Sequence, residues 1–153
     1  MSKDYLDLKQ FIRTVDDFPI SGIEFRDITS LIENPKAFVK TCNELTKITK
    51  NFRADIVTSI ESRGFIFAAT IARDLNLPFV LARKPGKLPN ETFKKSFNLE
   101  YGSTSIEIQK NTKINKDHKI IIVDDHSTDG TEEICRGYDK VDWHKNIEHD
   151  WKV

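Results

Sequence analysis

Cysteine is scarce: Cys42 and Cys135 are the only two, and neither belongs to a CxxC pair. That excludes a disulfide framework and a zinc site of the usual spacing, and Cys42 is expected in the core. The histidines, His118, His126, His144 and His149, lack metal-ligand spacing, and three of them sit among charged residues where a solvated surface role is expected. Net charge is absent too, because 24 basic side chains cancel 24 acidic ones. No global field recruits nucleic acid or an anionic membrane, so any bound anion must be held by a local site. Long apolar runs are missing. Phe65 to Ala72 (FIFAATIA) is stopped by Arg73 and Asp74, far short of the ~20 residues that cross a bilayer. The N-terminus, MSKDYLDLKQ, carries scattered charges where a secretory signal needs an apolar stretch, so a cytoplasmic location is expected. Without repeats or low-complexity linkers, 153 residues are expected to form one domain, 1–153.

What is present is an alternation of helix and strand signals. Asn34 before Pro35 is an N-cap followed by proline in the first turn, and Phe38, Val39, Cys42, Leu45 and Ile48 then recur at helical spacing. This predicts an amphipathic helix of about four turns. Ala54 to Ile60 (ADIVTSI) is a short β-branched run, followed by the polar break Glu61-Ser62-Arg63-Gly64 and an apolar stretch reaching Asn76 that is too long for a strand. Pro78 to Arg83 and Lys119 to Asp124 repeat the strand signature, and near-continuous apolar strands are those of a parallel sheet buried on both faces. Phe97, Leu99 and Tyr101 alternate before Gly102, and Ile106 and Ile108 alternate after it, which predicts a protruding hairpin. The fold class is α/β.

In open α/β sheets ligands bind beyond the carboxyl ends of the strands. Three loops qualify. Ser62, Arg63 and Gly64 stand at a helix start, where an anion fits. Arg83, Lys84 and Lys87, punctuated by Pro85 and Gly86, suit a polyphosphate leaving group on a closing loop, or form a solvated charged loop. In VDDHSTDGT, from Val123 to Thr131, the carboxylates Asp124 and Asp125 suit ribose hydroxyls or a magnesium ion, and Ser127, Thr128, Gly130 and Thr131 suit a phosphate. The same string also reads as an ordinary turn and N-cap.

Five segments together, Phe18 to Thr29 (FPISGIEFRDIT), Glu61 to Phe65 (ESRGF), Arg83 to Pro89 (RKPGKLP), Leu99 to Gly102 (LEYG) with Ile106 to Gln109, and IIIVDD, resemble adenine phosphoribosyltransferase in order and spacing. The resemblance covers about residues 1–124. It implies a type I phosphoribosyltransferase-like parallel sheet flanked by helices, with a hairpin and an N-terminal hood. It implies transfer of ribose 5-phosphate from phosphoribosyl pyrophosphate to adenine, giving AMP and pyrophosphate, with magnesium and as a homodimer. Phe25 and Arg26 would then belong to the hood over the purine. Ser62, Arg63, Arg83, Lys84 and Lys87 would grip the pyrophosphate. Glu100 and Tyr101 would lie at the reacting bond, as acid/base and shield, and Asp124 and Asp125 would hold the ribose and, through water, magnesium.

The third loop departs from the family pattern VDDxxATGGT: it is one residue shorter and carries Asp129 where the first glycine of the pair belongs. A carboxylate beside a phosphate costs on the order of a few kcal/mol if uncompensated, which predicts impaired activity or a non-catalytic nucleotide-binding remnant. Residues 125–153 are expected to be atypical and shorter than the family's C-terminal part. From about Ile120 the string IIVDDHSTDGTEEI resembles the first nucleotide-sugar loop of an inverting family 2 glycosyltransferase, so that fusion at IIVDD and simple divergence both stand.

Overall fold

The computed structural model describes residues 6–99 and 102–123. It divides into two units, Met1–Leu45 and Thr46–Val153. In the first, a 3-10 turn at Leu8–Phe11 is started by Asp7, whose carboxylate accepts the Lys9 amide proton at 3.0 Å. Strands β1 (Arg13–Val15) and β2 (Phe25–Asp27) pair antiparallel, with Arg13 opposite Asp27. The connection between them turns at Asp17, with φ 55°, and at Gly22, with φ 88°. Asp17 holds it by accepting from the Gly22 amide at 2.7 Å and the Ser21 hydroxyl at 3.1 Å. Helix α1 (Thr29–Glu33) follows, with Leu31 buried.

Helix α2 (Pro35–Phe52) begins where the Asn34-Pro35 signal predicts. The Asn34 side-chain oxygen accepts from the amides of Lys36 at 3.1 Å and Ala37 at 3.0 Å, satisfying two donors that a helix start leaves open. Ala37, Cys42 and Thr49 are its buried positions. Val39, expected on the apolar face, is 55 % exposed. One residue past Phe38 is a rotation of ~100°, which carries Val39 off the stripe that Ala37, Cys42 and Thr49 define.

The second unit is built on a parallel sheet ordered β4-β3-β7, with β3 (Ile56–Ile60) in the centre, β4 (Phe79–Ala82) on one side and β7 (Ile120–Val123) on the other. Ile56 and Val57 are buried on both faces of the central strand, as a covered parallel strand requires. Helix α3 (Arg63–Leu75) connects β3 to β4 and buries Ala68, Ile71 and Ala72. It stops at Asn76, whose φ of 54° is left-handed, and the Leu77 amide returns to the Ala72 carbonyl at 2.8 Å. Strands β5 (Thr92–Leu99) and β6 (Gly102–Gln109) form the hairpin. It starts at Thr92, five positions ahead of the alternation that announces it. Among the described residues no helix is long and apolar enough to cross a membrane.

Candidate active site at the ends of the parallel strands

Parallel pairing brings the three strand ends to one edge: Ile60 lies opposite Ala82, and Ser59 opposite Val123. The Glu61–Gly64 and Arg83–Pro89 loops therefore leave the sheet side by side. The third loop starts from the same edge, but Asp124, Asp125, Ser127, Thr128, Gly130 and Thr131 lie outside the described residues, as do Glu100 and Tyr101 between β5 and β6.

The first loop passes tightly over the sheet. The Glu61-Ser62 peptide is cis, and the Ser62 carbonyl accepts the Phe65 amide proton at 3.2 Å as α3 begins. Gly64 lies against the sheet, where a Cβ would stand 1.9 Å from Ser59 Oγ and 3.0 Å from the Val123 carbonyl oxygen. Only glycine lets the helix start approach that closely. Ser59 Oγ in turn donates to Val123 O at 2.6 Å, tying the ends of β3 and β7 together.

The two loops are joined by a side chain to which the sequence reading assigned no role. Glu61 Oε2 accepts from Arg83 Nε at 2.9 Å and pairs with Arg83 Nη2 at 2.8 Å. Its Oε1 accepts the Lys84 amide proton at 2.9 Å and stands 3.4 Å from Lys87 Nζ. The third nitrogen of the Arg83 guanidinium, Nη1, donates to the Lys87 carbonyl at 3.0 Å, curling the loop on itself. Burial alone pushes the Glu61 carboxyl up, since its side chain is only 6 % exposed. The Lys84 amide, Arg83 and Lys87 together outweigh that cost and hold it below its ordinary value. The hairpin secures the loop from the other side: Arg83 and Glu107 exchange backbone hydrogen bonds of 2.9 and 2.8 Å, and the Glu107 carboxylate accepts the Gly86 amide proton at 3.2 Å.

Of the expected site residues, Ser62, Arg63, Arg83, Lys84 and Lys87 thus share one edge of the second unit. Phe25 and Arg26 lie on β2 of the first unit. There Phe25 packs edge-on against Phe18 with ring centroids 5.0 Å apart, and Arg26 bonds to the Thr14 hydroxyl and pairs with Glu24 at 3.1 Å. Glu61, Glu107 and Ser59 were missed. The local signal for Glu61 was its place as the first residue after an apolar strand.

The family model for the phosphoribosyl transferase domain matches residues 29–132, more than half of the chain. The adenine phosphoribosyltransferase of Pelagibacter ubique is 44 % identical over 129 residues, 84 % of this chain and 73 % of that protein. That of Petrotoga mobilis is 46 % identical over 122 residues, 80 % of this chain and 70 % of that one. Among solved structures, the adenine phosphoribosyltransferase of Thermoanaerobacter pseudethanolicus superposes with a TM-score of 0.71 at 40 % identity, covering 75 % of this chain and 66 % of that one. The Saccharomyces cerevisiae enzyme, solved with adenine and an imino-altritol bisphosphate, gives 0.69 at 40 % identity, covering 77 % and 69 %. The chain spans about two thirds of the length of these solved relatives. These comparisons bear out the phosphoribosyltransferase resemblance and do not show the glycosyltransferase one. The chain belongs to the phosphoribosyl transferase family, among the adenine phosphoribosyltransferases.

Proposed function

We propose that this chain transfers the ribose 5-phosphate unit of phosphoribosyl pyrophosphate to adenine, giving AMP and pyrophosphate. The observation that carries the reading is the pairing of a helix-start loop with a basic loop at one edge of a parallel sheet, in a chain 44 % identical to an adenine phosphoribosyltransferase. In the reaction a purine ring nitrogen forms a bond to the anomeric carbon as the bond to the pyrophosphate oxygen breaks. The sugar becomes oxocarbenium-like on the way, as in glycoside cleavage. The protein has to neutralise the departing diphosphate, exclude water and accept the purine proton.

In this reading Ser62 and Arg63 meet the diphosphate at the start of α3, with Lys84 and Lys87 opposite. Glu100 takes the purine proton and Tyr101 shields the bond. Asp124 and Asp125 hold the ribose hydroxyls, and Ser127, Thr128, Gly130 and Thr131 hold the 5-phosphate. Phe25 and Arg26 select adenine, both units serve one domain of residues 1–153, and two copies of the chain form the working dimer. Magnesium enters as a companion of the diphosphate, whose oxygens are ligands suited to it. Among the described residues no group of three or more His, Cys, Asp or Glu side chains is gathered to hold a metal ion. The carboxylates assigned to magnesium, Asp124 and Asp125, lie outside them.

Adenine-dependent release of pyrophosphate from phosphoribosyl pyrophosphate, followed with the purified chain, tests the reading. Folded protein that turns nothing over defeats it. Adenine or AMP binding by calorimetry without turnover instead supports a non-catalytic nucleotide binder, the outcome that Asp129 in the phosphate loop favours.

A further inference from the structure

Three cations crowd the basic loop, yet they are not equally available. Each of the three guanidinium nitrogens of Arg83 has a partner, Nε and Nη2 in Glu61 and Nη1 in the Lys87 carbonyl, and the side chain is 32 % exposed. Arg83 is therefore a brace within the loop. Lys84 contributes its backbone amide to the brace, and Lys87 its carbonyl, while the Lys87 ammonium stands at the longer distance of 3.4 Å and is 52 % exposed. With the Arg83 charge met by Glu61, the cations of this loop that remain to face a polyanion are the two lysines.

We propose that Glu61 is a positioning residue for phosphoribosyl pyrophosphate: it does not touch the substrate but sets the spacing between the Ser62–Gly64 turn and the lysines of the basic loop. The proposal rests on the functional reading above and deepens it. Glu61 suits the part because it is the last link of a rigid element. It directly follows the central strand, its own amide bonds to the Ala82 carbonyl at 3.1 Å, and its carboxylate reaches both Arg83 and Lys84. Backbone and side chain of one residue thereby clamp the exit of β4, whose loop carries the lysines. The far side of that loop is fixed independently by Glu107. Loss of the Glu61 charge should accordingly loosen the loop without unfolding it.

Glu61→Gln is the direct test. The amide oxygen still accepts from the Lys84 amide, but its NH2 faces the donor fork of Arg83 and releases it. We expect the KM for phosphoribosyl pyrophosphate to rise tenfold or more and inorganic pyrophosphate binding to weaken in step, with kcat and the KM for adenine within twofold of the parent. Glu61→Asp keeps the charge but is one methylene too short to reach both partners, so it should show the same split and carries the test if the glutamine variant does not fold. If Glu61 were only a counter-charge competing with substrate, Glu61→Gln would tighten pyrophosphate binding, and that result overturns the proposal. So does a loss spread evenly over kcat and both KM values, or failure of both variants to fold, since either makes the residue purely structural. A parent chain that binds neither pyrophosphate nor phosphoribosyl pyrophosphate removes the functional reading itself, whereas a binding parent with unchanged variants removes only the role of Glu61.

Discussion

Gly64 leaves no room for a side chain beside Ser59, since a Cβ there would lie 1.9 Å from the serine hydroxyl oxygen. Helix propensity alone says that Gly64→Ala gains up to ~1 kcal/mol. Overpacking costs ~1–3 kcal/mol, and displacing the fully buried Ser59 also breaks its hydroxyl's bond to the Val123 carbonyl. The clash should win, lowering the melting temperature by roughly 2–8 °C. Adding Ser59→Ala relieves the closest contact but leaves the Ser59 Cβ at 3.2 Å, so thermal melts of the double variant should show partial recovery.

Asn34 caps α2 through two amides, and its loss should be felt as such. Asn34→Ala is expected to destabilise the chain by about 1 kcal/mol, while Asn34→Asp or Asn34→Ser stays near the parent. Denaturant midpoints for the three variants decide this, and equal midpoints for Ala and Ser would contradict it.

Asp27 predicts an acid-dependent contribution. Its bonds from Thr29 first, and from Arg13 after them, draw its carboxyl from 3.8 to about 2. A carboxylate depressed by folding stabilises the native state fully above its unfolded pKa and ceases to do so as pH falls through the folded one. The stability gap between parent and Asp27→Asn should hold from neutral pH down to about 4 and close towards pH 2. Urea midpoints across that range measure it, and a gap that persists at pH 2 would refute the assignment.

Lys87→Ala tests the basic loop by a different route from the Glu61 variants. A charge-assisted hydrogen bond is worth ~1.5–3 kcal/mol, so the KM for phosphoribosyl pyrophosphate should rise about 10- to 100-fold. High salt should narrow the difference, because Lys87 is half exposed and open to screening. An unaltered KM at low ionic strength would show that Lys87 is no ligand.

Features carried by neighbouring residues were legible in the sequence. The Asn34 cap needs only three residues, and the strands around Ile56, Phe79 and Ile120 announce themselves by apolar runs. β1 and β2 did not, because each has three residues, and β1 is exposed throughout. The start of β5 was hidden by Lys94-Lys95 and by Phe93, which is 64 % exposed, so no apolar alternation marks it. The candidate site divides in the same way. Its loops could be read because they follow strands, but the Glu61–Arg83 clasp joins residues 22 apart and depends on the parallel register that sets Ile60 beside Ala82. The roles of Glu100, Tyr101 and the carboxylates after Val123 rest on the family resemblance.

The central place of β3 has a consequence for the newly made chain. Its β4 edge is covered after about twenty further residues, but the opposite edge waits for β7, which pairs 64 positions later. Until those residues leave the ribosome, Ile56 to Ser59 present an unpaired ladder of backbone donors and acceptors. Released chains truncated before Ile120 should therefore stick to one another or to chaperones more than released chains that run through Val123.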